Sequence, residues 1–129
     1  MKIISYNCRG LARPDKKLAL RRLVAIDSLN IIFLQETLGL TTDITLTLER
    51  IFPEWCFICM DAHGRSGRIA LGYNSCSIKL LSCWGGVGHI GADIHSVDLG
   101  MDFRIFNIYE PCQHRPDFWD KLLGSNLFL

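Results

Sequence analysis

Three residues at the ends of strand-like runs carry most of the chemistry this sequence offers. Glu36 closes Ile31-Ile32-Phe33-Leu34-Gln35-Glu36, and Asn7 closes Lys2-Ile3-Ile4-Ser5-Tyr6-Asn7. A carboxylate beside a neutral amide presents hard oxygen atoms, the setting magnesium favours, because that ion keeps several waters and takes only one or two carboxylates. A surface carboxylate in a strand-to-loop turn accounts for Glu36 equally well. Tyr109 stands just before Glu110-Pro111, and its phenol can donate to a phosphate oxygen. Taken alone, a tyrosine with a buried ring and a wet hydroxyl is the simpler account. The segment 61–68 holds His63, Arg65 and Arg68 among glycines. It suits contact with a nucleic-acid backbone, although a polar hairpin loop is the ordinary explanation.

Other motifs point away from chemistry. Cys56-Phe57-Ile58-Cys59 has the C-x-x-C spacing of redox and zinc sites. It lies in an aromatic, β-branched run, Trp55 to Met60, that reads as a strand, and positions three apart on a strand point to opposite faces. No second C-x-x-C or H-x₃₋₅-H pair accompanies it. Cys8, Cys76, Cys83 and Cys112 read as small core or near-core residues. Gly85-Gly86-Val87-Gly88 lacks the Gly-Lys-Ser/Thr ending of a phosphate loop and reads as a turn. There is no Gly-x-Ser-x-Gly.

The elements that must position these residues follow from the hydrophobic pattern. Lys2 to Asn7 is a short strand. Pro14-Asp15 opens a helix expected to run from about Lys16 to Leu29, with Leu20, Leu23, Val24 and Ile26 inward and Lys16, Lys17, Arg21 and Arg22 outward. Ile31 to Glu36 is a continuous apolar run of the kind that is buried on both faces. Strand, helix, strand over this length is a βαβ unit with parallel strands, whose functional groups collect at the carboxyl ends, where Asn7 and Glu36 fall. Thr42 and Asp43 cap a second helix that ends before Pro53. Strand then follows strand: Trp55 to Met60, Arg68 to Tyr73, Ser77 to Trp84, Ile90 to Leu99 and Phe103 to Tyr109, separated by turn signals. This order predicts a mixed sheet within one α/β domain. Pro116 to Leu123, ended by Gly124, reads as a final short helix.

Composition bounds the class. A chain of 129 residues, 49% hydrophobic and 21% charged, is neither disordered nor collagen-like, and it makes one domain. No apolar run nears the roughly 20 residues of a membrane span, and the apolar N-terminal stretch is too short for a signal peptide. An intracellular protein with reduced cysteines is expected, nuclear or cytoplasmic unresolved. The net charge of +1 neither demands nor forbids a polyanionic partner. Arg9, Arg13, Lys16, Lys17, Arg21 and Arg22 form a basic patch that a solvated helix face also explains.

Tyr6-Asn7-Cys8-Arg9-Gly10-Leu11, Leu34-Gln35-Glu36-Thr37, Gly67-Arg68-Ile69-Ala70-Leu71, and Asn107-Ile108-Tyr109-Glu110-Pro111 followed by Phe118-Trp119 stand in this order. Together they resemble the endonuclease/exonuclease/phosphatase superfamily, and most closely the apurinic-type endonuclease domain of plant LINE-type retroelements. The resemblance spans nearly the whole chain. It implies the first half of a four-layered α/β sandwich, with a βαβ start followed by a mainly antiparallel meander, and cleavage of phosphodiester bonds with magnesium or manganese. It further implies Glu36 as metal ligand with Asn7 as its hydrogen-bonding neighbour, and Tyr109 on the scissile phosphate; Arg9 of the basic stretch and Arg65 and Arg68 of the polar loop are the residues expected toward substrate.

Family members carry later Gly-Asp-x-Asn and Ser-Asp-His segments that supply the water-orienting groups and the histidine of the reacting centre. Neither occurs here. Arg9 stands where many apurinic-type members have an acidic residue, Arg68 where a second glycine is usual, and Glu110 where a glycine commonly precedes the proline. The expectation is therefore a truncated single domain over 1–129, with DNA as the partner, a weakly held metal and little or no activity alone. A non-catalytic remnant or binding module, and a phosphoinositide or sphingolipid phosphodiesterase, are the alternatives. A half-sandwich is also expected to leave the inner sheet face to water, and so to self-associate.

Overall fold

A computed structural model describes residues 1–26, 28–38, 41–61, 68–86, 88–109 and Asp120. The elements run β1 (Lys2–Asn7), α1 (Pro14–Val24), β2 (Leu29–Gln35), α2 (Thr41–Ile51), β3 (Trp55–Asp61), β4 (Arg68–Asn74), β5 (Ile78–Gly86), β6 (His89–Ser96) and β7 (Met101–Ile108). The predicted final helix, Cys112, Arg65 and most of the segment 61–68 lie outside the described residues.

Pro14 occupies the first turn of α1, where its missing N–H is no loss, and Arg21 and Arg22 sit at the end that favours cations. Leu20 is fully buried, with Leu23 and Val24 packed beside it. The helix ends at Val24, five residues before the expected Leu29. Leu29 and Asn30 join the strand instead, where Leu29 is buried and the Asn30 amide links two elements. Its Oδ1 accepts from Lys2 N at 2.8 Å, and its Nδ2 donates to Ser77 Oγ at 2.8 Å. These long-range bonds outweigh a helical preference worth tenths of a kcal/mol per residue, and Ser28 turns the chain with φ 63°. In α2, Ile44, Leu48 and Ile51 recur at helical spacing and face the core.

The strands form two sheets. A four-stranded sheet has the order β1-β2-β4-β3 and a three-stranded one β5-β6-β7. β1 and β2 are parallel, as the βαβ reading predicts; β4 pairs antiparallel with both β2 and β3. The second sheet is an antiparallel meander. The fold is thus mixed α/β, with a parallel start and an antiparallel continuation.

β2 is central, and its side chains divide between two cores. Ile32 and Leu34 join Cys8, Leu11, Leu20, Leu48 and Phe52 under the helices. Ile31 faces Ile69, Leu71, Ile78, Ile90, Ile94 and Ile105 between the sheets. Helices, four-stranded sheet and three-stranded sheet therefore make three layers among the described residues. This corrects the expectation of a bare inner sheet face: β5, β6 and β7 of the same chain cover it. A second correction concerns Gly85 and Gly86, which continue β5 rather than open a turn. Their missing side chains admit the Met60 sulfur and the His89 ring respectively. Within β3, Cys56 and Cys59 do lie on opposite faces. Cys59 packs in the helix-side core and accepts a hydrogen bond from Thr45 Oγ1 at 3.5 Å, while Cys56 is exposed and stands opposite Tyr73 of the inter-sheet side. No helix among the described residues is long and apolar enough to cross a membrane.

Candidate active site at the strand ends

β1 and β2 end together, with Asn7 opposite Gln35 in the parallel register. The two chains stay joined beyond their strands: Cys8 N donates to Gln35 O (2.9 Å), Gly10 N to Glu36 O (2.9 Å) and Leu11 N to Thr37 O (3.0 Å). β4 is antiparallel to β2, so it begins where β2 ends, and Thr37 N donates to Arg68 O at 3.0 Å. β7 finishes at the same end, since Asn107 bonds to Leu34 and Gln35, and Tyr109 follows two residues later. Asn7, Glu36, Arg68 and Tyr109 thus come to one rim from four strands.

Asn7 is exposed, and its Oδ1 accepts from Arg9 N at 3.1 Å, which turns the chain back toward the rim. Arg9 is exposed and lies on the same turn. Glu36, Arg68 and Tyr109 are half-buried; Tyr109 packs against the inter-sheet core, and its N–H donates to Gly88 O at 2.8 Å. Arg9 and Glu36 both adopt left-handed backbone, with φ 48° and 52°. Such conformations in residues other than glycine are held only when the surroundings over-determine them. Arg65 cannot be placed, being outside the described residues.

Electrostatics tie Glu36 to the core beneath. Burial pushes the Cys8 thiol up to about 12, Lys16 opposes that rise and the Glu36 carboxylate adds to it. Cys8 is therefore a packing residue rather than a nucleophile. Glu36 and Asn7 offer hard oxygen, but the Asn7 oxygen already serves Arg9. Among the described residues no group of three or more His, Cys, Asp or Glu side chains is placed to hold a metal. This donor set fits a hydrated hard cation on one carboxylate and does not fit a zinc cage.

The residue that joins the two sheets here opens the motif Asn107-Ile108-Tyr109-Glu110-Pro111, where the sequence alone assigns it no role. Asn107 is 1% exposed. Its Nδ2 donates to Leu34 O (3.2 Å) and to Ala70 O (2.8 Å), and its Oδ1 accepts from Gln35 Nε2 (2.9 Å). Gln35 Nε2 also donates to Ser5 Oγ at 3.0 Å. A signal was available: Phe103, Ile105 and Asn107 share one face of the last strand, so a polar residue stands at a core position. His89 begins β6 at this end, but it alternates to the side away from the inter-sheet core, its ring against Gly86.

No family model and no curated protein sequence matches the chain. Solved structures do. A crystal structure of D. rerio TDP2 complexed with single strand DNA product superposes with TM-score 0.69 at 19% identity, covering 94% of this chain and 50% of that one. An endonuclease/exonuclease/phosphatase from Bacteroides vulgatus gives 0.57 at 15% identity, covering 84% and 52%. Humanized D. rerio TDP2 gives 0.57 at 17% identity, covering 81% and 44%. The chain spans about half the length of these structures. Over that length, its fold is the fold of the endonuclease/exonuclease/phosphatase superfamily.

Proposed function

We propose that the rim is the metal-binding and phosphate-contacting part of a phosphodiesterase site acting on DNA, in the line of retroelement endonucleases. The carrying observation is the convergence of Asn7, Glu36, Arg68 and Tyr109 from four strand ends onto one edge of the sandwich. Glu36 would hold magnesium or manganese, with Asn7 fixing the turn beside it. A divalent cation there would neutralise charge that develops on the phosphate during in-line attack. Tyr109 donates to a phosphate oxygen, and Arg9 and Arg68 supply positive charge along the backbone of the substrate. The single strand DNA product held by TDP2, a protein of similar fold, supports this class of substrate.

Hydrolysis also needs a base to orient the attacking water. Asn7, Arg68 and Tyr109 are unsuited to that task, and a Glu36 engaged with metal does not perform it as well. These residues by themselves therefore give metal and DNA binding with trace turnover at most. The test incubates the purified chain with supercoiled plasmid and Mg²⁺ beside Glu36→Ala, and follows Mn²⁺ binding in parallel. Mn²⁺ binding that disappears in Glu36→Ala, with trace nicking or none, is the expected result. Robust nicking lost in Glu36→Ala would show that the residues in hand suffice for turnover. Mn²⁺ binding indifferent to Glu36 would end the metal reading.

A further inference from the structure

We infer that Asn107 is a positioning residue for this rim: through Gln35 it sets the separation between the strand ends that carry Glu36 and Tyr109. The inference rests on the phosphodiesterase reading.

Three features carry it. First, the β2–β4 ladder stops at Leu34 and Ala70, and it is their two carbonyls that Asn107 Nδ2 takes up. The amide fills the point where the strands part. Second, the side-chain bonds run Asn107 to Gln35 to Ser5, so β7, β2 and β1 are tied in one line across both sheets. Third, every tied position lies one or two residues inside a rim residue. Asn107 precedes Tyr109, Gln35 precedes Glu36, Ser5 precedes Asn7, and Ala70 follows Arg68. A merely structural crosslink could sit anywhere along the 8-residue β7; this one lies directly beneath the rim. Orientation is also fixed: two carbonyl acceptors require the NH₂ end of Asn107, and that leaves its oxygen for Gln35.

Groups that orient a metal ligand typically change metal affinity by about 10–100-fold when removed. Mn²⁺ affinity is read by electron paramagnetic resonance for the wild type, Glu36→Ala, Gln35→Ala, Asn107→Ala and Ile94→Ala, with melting temperatures alongside. Ile94 is fully buried in the same inter-sheet core but pairs with Phe103, well inside the sheet, and so controls for lost stability. The expected result is Mn²⁺ affinity weaker by about tenfold or more in Asn107→Ala and Gln35→Ala, and unchanged in Ile94→Ala at a comparable loss of melting temperature. Gln35→Ala leaves the two carbonyl bonds of Asn107 in place, so it reports even if Asn107→Ala does not fold. Binding that requires Glu36 but ignores Gln35 and Asn107, or that weakens equally in Ile94→Ala, overturns the inference alone. Binding that ignores Glu36 overturns the phosphodiesterase reading, and this inference with it.

Discussion

Asn107→Asp alters a single atom type at the junction of the sheets and should make the stability of the chain strongly pH-dependent. The wild-type amide spends both N–H groups on Leu34 O and Ala70 O, at 3.2 and 2.8 Å, and is 1% exposed. A protonated carboxyl has one proton to donate, so one carbonyl loses its partner even in acid, at a cost of about 1–3 kcal/mol. Ionisation is worse, since it sets a carboxylate against two carbonyl oxygens in a site shielded from solvent. Burial of this kind raises a carboxyl by about 3 units or more from its ordinary value of about 3.9. At about 1.4 kcal/mol per unit, that amounts to a further loss of about 4 kcal/mol. The sign follows from proton counting. Between the unfolded and folded values the folded state holds one more proton than the unfolded, so stability falls as pH rises from about 4 to about 7 and levels off above. The total, about 5–7 kcal/mol, rivals the whole stability of an ordinary domain. Urea midpoints of the wild type, Asn107→Ala and Asn107→Asp from pH 4.5 to 8 test this. The Asn107→Asp deficit should widen by several kcal/mol across that range, while the Asn107→Ala deficit stays level. A deficit for Asn107→Asp that is constant with pH would refute the claim that its amide faces two carbonyls out of reach of water.

Other perturbations test the rest of the fold. A Cβ at Gly72 would run into the Phe57 ring and lie 3.0 Å from Ile32 Cγ2, so Gly72→Ala should cost about 1–3 kcal/mol by overpacking, read from the urea midpoint. Glu36 is held at φ 52°, where glycine is free of the penalty other residues incur. Glu36→Gly should therefore be more stable than Glu36→Ala by about 1 kcal/mol, and both should lose Mn²⁺; an alanine variant as stable as the glycine one would show that this backbone is not strained. Among the described thiols, iodoacetamide at pH 8 should modify exposed Cys56 and Cys83 first and Cys8 last. Cys8 is buried with its thiol pushed up to about 12, and mass-spectrometric mapping of the modified peptides gives the order.

Most elements were legible because alternation and helical spacing report which face of a segment is buried. The run Ile31 to Leu34 shows this well: its lack of alternation marks a strand buried on both sides, and β2 divides its side chains between two cores. What alternation does not report is the partner. β4 inserts between β2 and β3, and β5 leaves for a second sheet, through pairings between distant segments that no local pattern encodes. The same limit explains α1, cut short at Val24 because Asn30 has partners 28 and 47 residues away. At the rim, Asn7, Glu36 and Tyr109 stood out as chemistry at strand ends, and Arg68 as part of a loop suited to a nucleic-acid backbone. Asn107 did not, because a neutral amide has meaning only once the carbonyls it faces are known.

The two sides of Glu36 are built differently, and the difference explains why the rim needs a buried amide. On the β1 side the backbone stays zipped past the strand ends through Cys8, Gly10 and Leu11, at 2.9, 2.9 and 3.0 Å. That continuation is reached only by turning Arg9 and Glu36 into left-handed backbone. On the β4 side the ladder ends at Leu34 and Ala70 and resumes as a single bond from Thr37 N to Arg68 O. A side chain at Asn107 without donors would leave two carbonyls unsatisfied where the strands part, at about 1–3 kcal/mol each. The amide meets both carbonyls at the point where the ladder breaks off. One edge of the rim is thus tied by backbone alone and the other by backbone together with a buried side chain, and Glu36 stands between them.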